Sequence, residues 1–131
     1  MTTAKDIVQQ ADWKTEKHVP VIEAAETLKK GEALAFVVSV GKQIPHPNTT
    51  EHHIGWISVY FLPKGEKFTY HLARVECGAH GASALGPNTG TIFTEPRYSG
   101  SFKTEKSGTI IAVSYCNIHG LWESSKEITV A

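Results

Sequence analysis

Hydrophobic positions fall into short runs separated by turn-forming residues. The runs over residues 33–40, 54–62, 68–77, 97–104, 109–116 and 127–130 are rich in Val, Ile, Tyr, Phe and Thr, the residues that favour a pleated, half-buried surface. Each predicts a strand, and shorter strands are expected near Val21 and Ile92. The segments KKGE, PKGE, GPNTG and EKSG punctuate the runs as turns. Many short strands at this spacing predict an all-β architecture, an antiparallel sandwich or barrel. The first dozen residues predict a short helix with Ile7, Val8 and Ala11 near one face. Two segments break the strand pattern: GKQIPHPNTTEH, with two prolines, and CGAHGASALGPNTG, rich in glycine.

Composition narrows the class. A chain of 131 residues with 40% hydrophobic and 20% charged residues suits one globular domain spanning residues 1–131. Thirteen basic and thirteen acidic residues balance, so no basic stripe marks a nucleic-acid or membrane surface. Attraction of a charged substrate would have to be local. The segment MTTAKDIVQQADW has no basic stretch followed by an apolar one, and the run ALAFVV is far too short to span a bilayer. A cytoplasmic location is the expectation. Two cysteines, Cys77 and Cys116, could form one disulfide, which a reducing cytoplasm disfavours, and by themselves they cannot build a four-cysteine metal centre.

Histidine changes the picture: there are seven, mostly clustered. In YCNIHGLW, Cys116 and His119 stand three residues apart at a strand end, where a thiolate and an imidazole can grip one metal ion if the chain turns. In IPHPNTTEHHIGW, Pro45 and Pro47 remove backbone donors, so His46 is presented by a loop and not by a paired strand. His52 and His53 are adjacent, so an extended chain points them to opposite sides, and one of the two is expected at a site. Strand alternation does not choose between them. In TEKHVP, Glu16 and His18 are two apart and can face the same way, with Lys17 projecting away from them. His71 reads as a satisfied sheet histidine, His80 as a loop residue and Cys77 as a small buried thiol.

Taken together, EKHVP, IPHPNTTEHHI and SYCNIHGLWE closely resemble the motifs of superoxide reductase in its short one-iron form, also called neelaredoxin. The likeness runs through nearly the whole chain, including YFLPKGEKF and AHGASALGPNTG. The resemblance implies an immunoglobulin-like antiparallel β-sandwich carrying one mononuclear iron. It implies His18, His46, His52 and His119 as equatorial ligands, so it selects His52 over His53. It further implies Cys116 as the axial thiolate and Glu16 as the sixth ligand of the resting ferric state. The activity implied is one-electron reduction of superoxide to hydrogen peroxide without release of oxygen. A rubredoxin-type donor and a homotetramer are the expected partners.

Lys17 is expected to receive the anionic substrate, its long stem bringing an ammonium back over the open position. Ligand type alone does not fix the metal, because imidazole and thiolate also suit copper and zinc. The alternative is a blue-copper-like electron carrier on a β-sandwich. Such sites usually add a weak axial methionine, and the one methionine here is Met1.

Overall fold

A computed structural model describes all residues 1–131. A short helix α1 (Ala4–Ile7) leads into β1 (Val8–Gln9). The strands β2 (Pro20–Ala24), β3 (Thr27–Leu28), β4 (Ala33–Val40), β5 (Ile54–Pro63), β6 (Tyr70–Glu76), β7 (Arg97–Lys103), β8 (Gly108–Cys116) and β9 (Gly120–Val130) follow. They form two sheets, a larger one in the order β1-β9-β8-β5-β6 with β3 also beside β9, and a smaller one in the order β2-β4-β7. The chain is the expected all-β sandwich with antiparallel sheets.

Alternation within the strands builds the core. In β8 every second residue from Gly108 to Cys116 is buried. In β4, Leu34, Phe36, Val38 and Val40 turn inward. They meet Ile57, Val59, Phe61, Ile110 and Ala112 of the larger sheet in one apolar cluster. Cys116 belongs to that cluster, because it shares the inward parity of Ile110, Ala112 and Ser114. The thiol therefore sits at the end of the core. Pro20 pairs with Val40, and Ile54 and Gly120 both pair with Cys116. The start of β2 and the end of β4 thus lie at the same end of the sandwich as the start of β5, the end of β8 and the start of β9.

The register of β5 shifts between Ile54 and Trp56. This bulge at Gly55 lets Ile54 face inward although the inward residues beyond it are Ile57, Val59 and Phe61. A period of two read through residues 52–59 could not have shown which histidine faces in.

Several expectations need correction. The N-terminal helix is four residues long, and Val8 pairs instead with Leu121 in a parallel bridge that covers the outer edge of β9. No strand forms near Ile92; Phe93 makes only an isolated bridge with His80. The 68–77 strand is shorter, at Tyr70–Glu76. The last strand begins at Gly120, seven residues before the expected 127, because pairing with β8 and not propensity makes Glu123–Lys126 extended. β1 and β3 are parallel to β9, each over two residues, in an otherwise antiparallel sandwich. No helix is long and apolar enough to cross a membrane.

Ile110 is fully buried at the centre of the cluster. Ile110→Ala should lower unfolding free energy by about 2–5 kcal/mol, read as a reduced midpoint at unchanged slope in urea titration.

Candidate metal centre

Four segments deliver side chains to the end of the sandwich where Cys116 lies. His18 precedes β2, and its backbone carbonyl accepts a hydrogen bond from the buried Ser114 Oγ at 3.0 Å. That bond ties the smaller sheet to β8. Cys116 ends β8, and the turn 117–119 returns through Gly120, whose φ of +81° suits glycine. The turn folds back on the thiol: the His119 backbone N–H donates to Cys116 Sγ at 3.3 Å. Asn117 fastens the turn to the next segment by accepting from the His53 N–H at 2.8 Å and donating to the Glu51 carbonyl at 2.8 Å. His52 is held in turn by Thr49, whose Oγ1 accepts its N–H at 3.0 Å. His46 is fixed by its own ring, which donates from Nδ1 to the Pro47 carbonyl at 2.6 Å.

The four imidazoles form a closed ring. Successive centroids, His18 to His46 to His52 to His119 and back to His18, are 4.8, 4.8, 5.0 and 4.7 Å apart, with 6.3 Å across from His18 to His52. The potential ligand atoms of His18, His52, Cys116 and His119 all lie within 4.8 Å of one another. His46 stands outside that tight group but borders both His18 and His52. His18 Nε2 and His119 Nδ1 are 3.0 Å apart. The Nε2 atoms of His46 and His52 are buried without any hydrogen-bond partner.

Those orphaned nitrogens test whether a metal fits. Buried polar atoms are normally paired, and an unpaired one carries a desolvation penalty. Two buried imidazole lone pairs beside two further imidazoles and a thiol are what a cation would satisfy. Electrostatics agrees. Burial, opposed by the hydrogen bond to the Pro47 carbonyl and reinforced by the neighbouring His18, His52 and Lys17, depresses the His46 pKa to about 4. Burial, then His119, His18 and Lys17, also lower that of His52. Both rings are therefore neutral near pH 7, the form that ligates metal.

The structure places the remaining sequence-predicted residues as follows. Glu16 does not join the converging ligand atoms; its carboxylate accepts from the His18 backbone N–H and contacts His18 Nδ1 at 3.0 and 3.1 Å. Burial penalises the Glu16 carboxylate, but the hydrogen bonds from His18 prevail and hold its pKa below the ordinary value. A carboxylate on the outer nitrogen fixes the tautomer of a ligating histidine and leaves Nε2 free. Lys17 is partly buried and has no ion-pair partner, and its charge is felt at both His46 and His52.

His53 turns away and stacks on His80 at 3.5 Å and 4°. His80 contacts Asn48 Oδ1 and the Cys77 carbonyl at 2.7 and 2.6 Å, and His71 contacts Ser58 Oγ at 2.9 Å. Cys77 is buried away from the cluster, and burial followed by the Glu76 charge raises its pKa. These residues have local partners, as their sequence contexts suggested.

Trp122 escaped the sequence reading. Its ring stacks on His18 at 4.9 Å and 13°, and its Nε1–H donates to the His119 carbonyl at 3.2 Å. It sits opposite Ser114 across the β8–β9 pair, so two cross-strand neighbours hold His18 from either side of one rung. The motif IHGLW contained it, but its role needs the hairpin register, which residue types do not state.

Comparison with known proteins agrees with this geometry. A family model described as Desulfoferrodoxin matches residues 10–125. The chain is 54% identical over 125 residues to the superoxide reductase of Pyrococcus furiosus, covering 95% of this chain and 97% of that one. It is 50% identical to the neelaredoxin of Megalodesulfovibrio gigas over 125 residues, covering 95% and 96% of the two chains. Among solved structures, the reduced superoxide reductase (neelaredoxin) of Archaeoglobus fulgidus superposes with a TM-score of 0.87 at 54% identity, covering 95% of this chain and 99% of that one.

His52→Ala should sharply reduce bound metal, whereas His53→Ala should retain full occupancy, since only His52 presents a buried free nitrogen to the ring. Elemental analysis of the purified variants checks this. Equal loss in both would show that the loop had been misassigned.

Proposed function

The chain belongs to the desulfoferrodoxin family, and from that premise we infer that it is a superoxide reductase. The observation that carries the inference is the convergence of His18, His52, His119 and Cys116, with His46 closing the ring of imidazoles. The reaction balances as superoxide plus one electron plus two protons giving hydrogen peroxide, with no oxygen formed. Iron held by these five side chains would supply that electron and afterwards regain one from a donor. Iron is proposed from the family, since imidazole and thiolate serve other metals too. Four imidazoles exceed the usual two of blue-copper sites, and Met1, the only methionine, is fully exposed and far from serving as an axial ligand.

The protein's own residues have three tasks. Holding the metal falls to the five ligands, with the Pro47 carbonyl and the Glu16 carboxylate orienting His46 and His18 from their outer nitrogens. Glu16 is also proposed as the carboxylate ligand of the resting oxidised state, a role that requires it to give up its hydrogen bonds to His18. Attracting the substrate falls to Lys17. With formal net charge zero, the protein has no global field to draw an anion, and one unpaired ammonium beside the site supplies a local one, worth roughly 1–4 kcal/mol according to dielectric. The donor is proposed to be a rubredoxin-type protein, the assembly a homotetramer and the compartment the cytoplasm. The two free cysteines suit a reducing compartment.

Metal analysis with an optical spectrum tests the reading: iron and a ferric-thiolate band support it, and an intense blue-copper band refutes it. Cys116→Ser should abolish that band and most activity, whereas Cys77→Ser should leave both unchanged; the reverse pattern would overturn the ligand assignment. Lys17→Ile should slow the second-order reaction with superoxide about tenfold, the equivalent of 1.4 kcal/mol, and flatten its dependence on ionic strength at constant iron content. Pulse radiolysis at low and high salt measures both, and equal rates with equal slopes would remove the steering role.

A further inference from the structure

The glycine-rich connection between β6 and β7, residues 77–96, supplies none of the five ligands, yet it grips the loop that carries two of them. Loop 41–53 presents His46 and His52 and has little internal support. Pro45 and Pro47 lack backbone donors, and one backbone bond, from the Thr49 N–H to the His52 carbonyl, lies within the loop. The buried Nε2 atoms of His46 and His52 have no partner, and they would gain water if the loop relaxed outward. Something outside the loop must keep them turned in.

Side chains of the connection do so between the two histidines. Asn88 Oδ1 accepts from the Thr50 N–H at 2.9 Å, and the Asn88 N–H returns a bond to Thr50 Oγ1 at 3.1 Å. Asn88 Nδ2 donates to both carboxylate oxygens of Glu51 at 2.8 Å. Thr50 Oγ1 donates to the His80 carbonyl at 3.2 Å. Asn48 Nδ2 donates to the Thr94 carbonyl at 3.0 Å, which turns Asn48 Oδ1 toward His80 Nδ1, 2.7 Å away. The His80 ring is also held at Nε2, 2.6 Å from the Cys77 carbonyl, and its face covers His53. The connection is anchored in turn, because the Cys77 N–H donates to the Gly55 carbonyl of β5 at 2.8 Å. Asn88 is the one non-glycine residue with a positive φ, at +56°. Asn tolerates that conformation, and it persists where the surroundings over-determine it.

We propose that His80 and Asn88 are positioning residues for the metal centre: they clamp loop 41–53 so that His46 and His52 stay turned toward the ion. They act through Asn48, Thr50 and Glu51 without touching it. The clamp works on these two imidazoles alone, because His18 is tied to Ser114, and His119 and Cys116 are fixed by their own turn. The assignment rests on the metal centre of the superoxide reductase reading and not on its substrate.

The test compares the unaltered iron-loaded protein with His80→Ala, Asn88→Gly and His71→Ala. Glycine accepts the φ of residue 88, so Asn88→Gly removes the side-chain bonds without adding strain. His71, a sheet histidine in contact with Ser58 Oγ at 2.9 Å, supplies the control. The readouts are loss of iron from the reduced protein to ferrozine, and the electron paramagnetic resonance spectrum and ferric-thiolate band of the oxidised protein. His80→Ala and Asn88→Gly should each release iron about tenfold faster and alter the resonance signal, with the thiolate band retained. His71→Ala should match the unaltered protein in all three. An unchanged release rate or an unchanged resonance signal in either clamp variant overturns the proposal. So does equal acceleration by His71→Ala, which would assign the effect to general stability, or loss of the thiolate band in Asn88→Gly, which would mean an effect spread over the whole site. Should His80→Ala fail to fold, Asn88→Gly decides alone. If the unaltered protein holds no iron, the metal reading itself fails, an outcome visible before any variant is compared.

Discussion

Ser114 Oγ donates to the His18 carbonyl across the sandwich at 3.0 Å, with both residues buried, and the metal centre depends on this tie. Ser114 belongs to β8, two residues before Cys116, and His18 leads directly into β2 of the other sheet. One hydrogen bond therefore sets the distance between the thiol of one sheet and the first imidazole of the other. In a buried setting such a bond has no competing water, and removing one partner leaves the other unsatisfied. Trp122, opposite Ser114 on β9, adds a stacking surface for the His18 ring. The sandwich thus supplies rigid strand ends, and the loops bring His46, His52 and His119 to them.

The site is built at an electrostatic cost that a bound cation would offset. His46 and His52 are desolvated, lie near Lys17, and have no partner for Nε2. Placing four imidazoles within a ring of sides near 5 Å leaves several lone pairs competing for very few protons. Metal binding satisfies these atoms together, so it contributes to the stability of this end of the fold as well as to chemistry. Glu16 complements it from outside the ring, where its charge meets His18 Nδ1. The Lys17 charge, felt at His46 and His52, opposes metal binding slightly, and the proposed attraction of an anion would arise from the same Coulomb effect.

How much was legible followed from whether the signal was local. The β4 boundaries came directly from ALAFVVSV, whose inward side chains alternate without interruption. β9 was mostly missed, because Glu123–Lys126 are polar and become extended only through pairing with β8. The clusters around His18, His46, His52 and Cys116 were legible as chemistry, since prolines and adjacent histidines constrain their segments. The choice of His52 over His53 came from family resemblance and not from alternation, and the bulge at Gly55 explains why. Trp122, Ser114 and Asn117 act through partners far away in sequence, so their roles needed three dimensions.

The central claim is that this centre reduces superoxide without disproportionating it. The most direct measurement is the yield of hydrogen peroxide and oxygen per superoxide consumed by the pre-reduced, iron-loaded protein in a single turnover. Reduction consumes one superoxide per peroxide and releases no oxygen, so the account predicts one peroxide for each superoxide and no oxygen. Half a peroxide together with half an oxygen per superoxide would contradict it, because that stoichiometry belongs to a dismutase.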